Sequence, residues 1–168
     1  THLTFPGDAT VSSGAFQNNN LTSVTVVGGV KSDYSSNYAN MPWSNDNAKC
    51  DVEVTISEGI TAIGPHMFRS AGKLTAINLP VGILTVGEYA FYQCSSLGYI
   101  SIPSVTSIGG KAFYGCQSLE GIGPLPSLQT IGDYAFYNCK KILSLDLPIT
   151  LTSIGQYAFQ YCDALEDL

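Results

Sequence analysis

Ile131-Gly132-Asp133-Tyr134-Ala135-Phe136-Tyr137-Asn138-Cys139 is the stretch from which the rest of the chain can be read. The pattern stands again at Val86-Gly87-Glu88-Tyr89-Ala90-Phe91, Ile108-Gly109-Gly110-Lys111-Ala112-Phe113 and Ile154-Gly155-Gln156-Tyr157-Ala158-Phe159. Ile63-Gly64-Pro65-His66-Met67-Phe68 is a divergent first copy. Successive Phe residues are 23, 22, 23 and 23 positions apart. Three residues after Phe comes Cys94, Cys116, Cys139 or Cys162, with Ala71 in the first copy. Repetition at a fixed period of this length marks a stacked array, in which no unit buries its apolar side alone.

Between these segments lies a second block, as in Leu74-Thr-Ala-Ile77-Asn-Leu79-Pro80, Leu97-Gly-Tyr-Ile100-Ser-Ile102-Pro103 and Ile142-Leu-Ser-Leu145-Asp-Leu147-Pro148. Apolar residues at i, i+3 and i+5 place the last two on one face of a short strand. The Pro ends each strand, where a missing ladder N–H costs little. A period of 20–29 residues with Leu-x-x-Leu-x-Leu character is the leucine-rich-repeat signature. The expected fold is therefore α/β but β-dominated, a right-handed leucine-rich-repeat solenoid. Its parallel sheet lies on the concave side and short helical turns lie on the convex side. The Phe rings should stack into a spine. Gly64, Gly87, Gly109, Gly132 and Gly155 should supply tight turns with φ > 0.

The pattern Ile-Gly-x-Tyr-Ala-Phe-Tyr-x-Cys-x-x-Leu-x-x-Ile-x-Ile-Pro resembles the BspA-like (Treponema-type) leucine-rich repeat. Residues 50–168 carry it, apart from Met67, Arg69 and Ala71 in the first copy. Residues 21–49 resemble the family's entry cap, with a hairpin over Leu21–Val27, Asp33-Tyr34 in a Tyr-rich loop and the Pro42-Trp43 pair. Val11-Ser-Ser-Gly14-Ala15-Phe16 reads as a degenerate preceding repeat. Two regions are thus expected: an N-terminal degenerate repeat and cap over 1–49, and one continuous array over 50–168. The resemblance implies a cell-surface or secreted protein engaged in adhesion and contact with host proteins.

Composition excludes other classes. The chain has 168 residues, formal net charge −6 and only 7 Lys+Arg, so it lacks the basic footprint that nucleic acid or an anionic membrane surface requires. No apolar run approaches the roughly 20 residues of a membrane-spanning helix. The charged fraction of 12%, about half the usual roughly 25%, with many Gly, Ser, Thr, Asn and Tyr, suits an extracellular β-rich protein.

Little points to chemistry. With two His residues, His2 and His66, no Ser–His–Asp or Cys–His set can be assembled. His66 occupies the slot of Tyr89, Lys111, Tyr134 and Tyr157, and reads as a solvent-facing convex residue. In-register stacking would line up the recurrent cysteines about 4.8 Å apart, with parallel side chains whose Cβ atoms lie farther apart than a disulfide prefers. A line of thiols also cannot surround a zinc ion. They are expected to be unpaired, small buried hydrophobes; Cys50 falls outside the register. No phosphate-loop, dinucleotide or calcium-loop pattern occurs. No catalytic residue, metal or cofactor is expected. Asn20-Leu21-Thr22 is an N-glycosylation sequon, relevant to a secreted eukaryotic chain.

Binding is expected on the strand residues that point away from the core. Beyond Ser23, Thr25, Thr55 and Ala76, the candidates are Glu53, Asn78, Tyr99, Ser101, Ser144 and Asp146. This face is polar and mildly acidic, with Tyr99 as its aromatic residue, a common arrangement at the centre of a contact surface. The unit Leu119–Pro126 breaks the alternation with Gly121, Gly123 and Pro124, and its outward residues stay unassigned. Two other surfaces are the convex tyrosines, Tyr89, Tyr134 and Tyr157 with Tyr92, Tyr114 and Tyr137, and the loop Val30–Lys49. The stronger reading of that loop is a cap in which Trp43 shields the first repeat. The expected function is non-catalytic binding of an extracellular or host protein. The alternative is a carbohydrate-binding module of a larger surface protein, with a glycan as partner. Cys162-Asp-Ala-Leu165-Glu-Asp-Leu168 aligns with Cys94–Ile100, so the sequence stops within a strand. A fragment of a longer surface protein is expected.

Overall fold

A computed structural model describes residues 1–12, 15, 16, 20–29, 34–36, 38–44 and 51–166. The expected parallel solenoid is present, but it carries two sheets. The first contains β1 (His2–Pro6), β2 (Ser23–Val27), β3 (Val52–Ile56) and β5 (Leu74–Asn78), paired in that order and all parallel. Alternation explains these strands: Val52, Val54 and Ile56 are buried while Glu53 and Thr55 are exposed. A bulge at Thr75 shifts the register, so Glu53 faces Ala76 and Thr55 faces Asn78. The second sheet stacks five two-residue strands: β4 (Ala62–Ile63), β6 (Thr85–Val86), β7 (Ser107–Ile108), β8 (Thr130–Ile131) and β9 (Ser153–Ile154).

Three expectations need correction. Leu21–Val27 is not a hairpin, because Ser23–Val27 is one strand with parallel neighbours on both sides. The blocks at 97–102 and 142–147 do not extend the first sheet as full strands. Within them, Tyr99 makes a parallel bridge to Gly121, and Ser144 is also a bridge residue. The Ala-Phe segments are not helical turns. In each copy the chain makes overlapping reverse turns, in which Met67, Arg69 and Ala71 donate to the carbonyls of Gly64, His66 and Phe68.

The alternate N–H groups donate to the following coil. His66, Phe68 and Ser70 reach the carbonyls of Glu88, Ala90 and Tyr92, and the same trio of bonds recurs at the next three interfaces. This alternation needs left-handed backbone at unexpected residues. His66, Tyr89, Lys111, Tyr134 and Tyr157 have φ between 54° and 61°, and Gly115, Ser70, Gln93, Asn138 and Tyr161 share a second such slot. The Ile-Gly glycines serve otherwise. A Cβ on Gly87 would lie 2.6 Å from the Pro65 nitrogen, and one on Gly132 would lie 2.5 Å from the Gly110 nitrogen. Glycine is required there because the preceding coil's backbone occupies the side chain's place.

The core is one cluster running through the stack. Phe68, Phe91, Phe113 and Phe136 are fully buried with rings 5.2 Å apart, and Phe159 continues the column at 5.4 Å. Trp43 joins it to Phe5, with centroids 5.0 Å from Phe68 and 5.7 Å from Phe5. The Trp43 indole N–H donates to the Met67 carbonyl at 2.9 Å, and the Tyr34 N–H donates to that of Pro65. These carbonyls correspond to those of Ala90 and Glu88, which a preceding coil satisfies.

Candidate functional site

The first surface is the strand face. Glu53, Asn78, Tyr99, Ser101, Ser144 and Asp146 are all exposed. Asn78 donates from Nδ2 to the Thr55 hydroxyl at 3.4 Å, and Glu53 stands one row away beside Ala76. The other four gather around the irregular unit. The Tyr99 ring lies along the glycines of the next coil, with Cδ2 and Cε2 3.6 Å from where a Gly121 Cβ would stand. Its hydroxyl is 2.9 Å from the corresponding place on Gly123, beside the Ser101 hydroxyl at 3.6 Å. Any side chain at Gly123 would displace the ring. Tyr99 is 56% exposed, so the glycines support it without covering it. Next to it is an open groove of about 230 Å³, lined by Gly121, Gly123, Pro124, Ser144 and Asp146 among others.

The second surface is the turn face, where two residues per coil form parallel rows. One row runs Tyr38, His66, Tyr89, and then, past Lys111, Tyr134 and Tyr157. Its rings are 6.2, 4.8 and 5.1 Å apart at the three aromatic contacts. The other runs from Arg69 to Tyr92, Tyr114 and Tyr137, with ring separations of 4.9 and 4.7 Å. His66 is therefore not a solvent-facing residue: it is half-buried, stacked at 11° on Tyr89, with Nδ1 3.1 Å from a guanidinium nitrogen of Arg69.

The Arg69 guanidinium lies 4.6 Å from the Tyr38 ring centre and 5.2 Å from those of Tyr89 and Tyr92. The Lys111 ammonium donates to the Tyr89 hydroxyl at 2.9 Å. That bond holds it above the ordinary lysine range, although partial burial opposes the shift. Sequence reasoning did not identify this pairing of cations. Their one signal was a basic residue in a slot that holds Tyr in three of the five copies.

Behind the spine, Cys94, Cys116, Cys139 and Cys162 are free thiols. Each S–H donates to the carbonyl of the Phe one coil earlier, at 3.0–3.1 Å. They act as donors as well as small hydrophobes. Burial pushes Cys116 and Cys139 well above the ordinary thiol range, and Cys162 less so. Cys50 lies outside the described residues. Among the described residues no group of three or more His, Cys, Asp or Glu side chains could hold a metal. None of their helices is long and apolar enough to cross a membrane.

Parallel coils, a phenylalanine spine and a polar strand face define a leucine-rich-repeat solenoid. The sequence pattern of the BspA-type leucine-rich repeat region matches six copies over residues 46–166, and the chain belongs to that family. A leucine-rich repeat protein of T. pallidum is similar at 29% identity and TM-score 0.65, over 68% of this chain and 56% of that one. A leucine-rich cell surface protein of Faecalibacterium prausnitzii is similar at 26% identity and TM-score 0.73, over 98% of this chain and 46% of that one. A leucine-rich repeat protein of Eubacterium ventriosum, 19% identical with TM-score 0.64, shares the fold; the match covers 95% of this chain and 58% of that one. The chain thus spans about half the length of these structures. No curated protein matches it.

Proposed function

We propose that the chain is a non-catalytic binding module of a cell-surface or secreted protein, and that its strand face engages an extracellular or host protein. The observation that carries this reading is Tyr99, a half-exposed ring held along Gly121 and Gly123 beside the groove of Ser144 and Asp146. A ring fixed by its own chain loses little conformational freedom on contact, which favours it as an anchor. The family and the surface protein of F. prausnitzii support the location.

The test is a binding screen of the purified chain against extracellular-matrix proteins and a glycan array, repeated with Tyr99→Ala/Asp146→Ala. For a protein partner, loss of the Tyr99 anchor should cost on the order of 2 kcal/mol, about 30-fold in affinity. Unchanged affinity in the double variant would move the site off the strand face. Binding restricted to glycans would favour the carbohydrate-module reading, for which the same ring and the Asp146 carboxylate supply a stacking surface and a hydroxyl acceptor.

A further inference from the structure

The turn face holds a feature that neither the repeat pattern nor the strand-face reading uses. Two of the seven Lys and Arg residues line one open cavity of about 410 Å³. Its lining is Arg69, Tyr89, Tyr92, Lys111, Tyr114 and Tyr134, with no carboxylate, in a chain of net charge −6. The two cations belong to coils on either side of Tyr89 and both lean towards it. The guanidinium lies 5.2 Å from the ring centre, and the ammonium is 2.9 Å from the hydroxyl.

Among the described residues neither cation forms an ion pair; the one pair found joins Lys141 and Glu120 at the surface. Glu88 and Asp133 line an adjoining depression that shares Lys111 and Tyr134 with this cavity, and the Glu88 charge acts on Lys111 without forming an ion pair. The Arg69 Nε is buried with no hydrogen-bond partner among the described residues, and the guanidinium is held in place by ring contacts and by His66 Nδ1, 3.1 Å from one outer nitrogen, rather than by an acid.

We infer that this cavity is an anion site for a sulfate or phosphate monoester carried on a sugar. The chemistry follows from the donors. A tetrahedral ester presents three outer oxygens, which the Lys111 ammonium, the outer guanidinium nitrogens and the tyrosine hydroxyls can meet as charge-assisted hydrogen bonds. The sugar then lies along the edges and hydroxyls of Tyr92 and Tyr114, whose faces are stacked on each other with centres 4.9 Å apart. A free inorganic ion gains only the first set of contacts in a site open to water, and binds more weakly. The site is independent of the strand face, so either can fail without the other.

Titration of the intact chain at low ionic strength with N-acetylglucosamine 6-sulfate, its 6-phosphate and the neutral sugar tests the inference, with ligand-observed NMR as readout. At least one ester should bind in the millimolar range or tighter, at least tenfold above the neutral sugar, and should weaken as NaCl is raised. Which ester binds identifies the group. Lys111→Gln should lose at least fivefold in affinity with an unchanged melting temperature, and the exposed Lys140→Gln should lose nothing. Arg69→Gln should lose more, but Arg69 packs on three rings, so Lys111→Gln is the deciding variant. Equal binding of the neutral sugar, no binding of either ester, or full affinity in Lys111→Gln would each overturn the inference and leave the two cations as packing elements of the tyrosine rows.

Discussion

The two faces of the solenoid are built on opposite principles. On the strand face, four strands of five residues pair along their length between His2 and Asn78, and beyond that the ladder shrinks, among the described residues, to isolated bridge positions such as Tyr99 to Gly121 and Ser144. On the turn face the bonding never thins. Each interface from His66 to Gln160 repeats the same three backbone hydrogen bonds, with β4, β6, β7, β8 and β9 stacked alongside. Stack geometry is therefore held by the Ile-Gly-x-x-Ala-Phe segment, while the strand face is free to vary. Tolerance on one face and strictness on the other is what a scaffold with a changeable surface requires.

The largest test of that contrast uses two glycines. Gly132→Ala drives a Cβ into the Gly110 backbone and should cost about 3 kcal/mol or more, read as a fall in the urea midpoint. Gly98→Ala, with nothing within 4 Å of its new Cβ, should stay within about 0.5 kcal/mol. Equal effects would end the distinction between the faces. Trp43→Phe comes next. It keeps most of the ring but orphans the buried Met67 carbonyl of its indole donor, for about 2 kcal/mol.

The thiols give a smaller, pH-dependent effect. Burial raises the Cys116 and Cys139 pKa above the unfolded value of about 8.5, so their contribution is complete below that pH and declines as pH rises. By pH 9.5 each should have cost about 1 kcal/mol, and Cys116→Ala/Cys139→Ala should flatten the decline in urea midpoint between pH 8 and 9.5. The smallest effect has the opposite sign. Gln93 holds φ 58° where the next coil has Gly115, so Gln93→Gly should stabilise by about 0.5 kcal/mol, measured by the same midpoint.

The period, the Phe spine and the in-and-out alternation were legible because each is a side-chain pattern repeated at fixed spacing. What was misread concerns the backbone. The recurrent Ile-Gly glycines suggest positive φ, whereas they exist for close approach of coils, and sequence alone does not separate these two uses. Positive φ falls instead on Tyr89, Tyr134 and Tyr157, residues with no intrinsic preference for it. The second sheet is not legible in the sequence because two-residue strands such as Ser107–Ile108 are too short to display alternation. On the candidate site, the outward positions of Tyr99 and Asp146 followed from alternation. The support beneath Tyr99 did not, because Gly121 and Gly123 read only as a break in the pattern. Arg69 and Lys111 stood out as exceptions in their slots, but that they converge on Tyr89 needs three dimensions.

Trp43 is the only tryptophan among ten tyrosines, and it sits at one end of the ring column. Excitation energy absorbed by tyrosines passes to an indole with an efficiency that falls steeply with distance. Trp43 emission excited in the tyrosine band therefore reports on the coils around Phe68 and Phe91 and is nearly blind to those around Phe159. If the array frays from that far end, tryptophan emission will stay native while circular dichroism already declines. A mismatch between the two signals would then measure how many coils have come loose, with no label added to the chain.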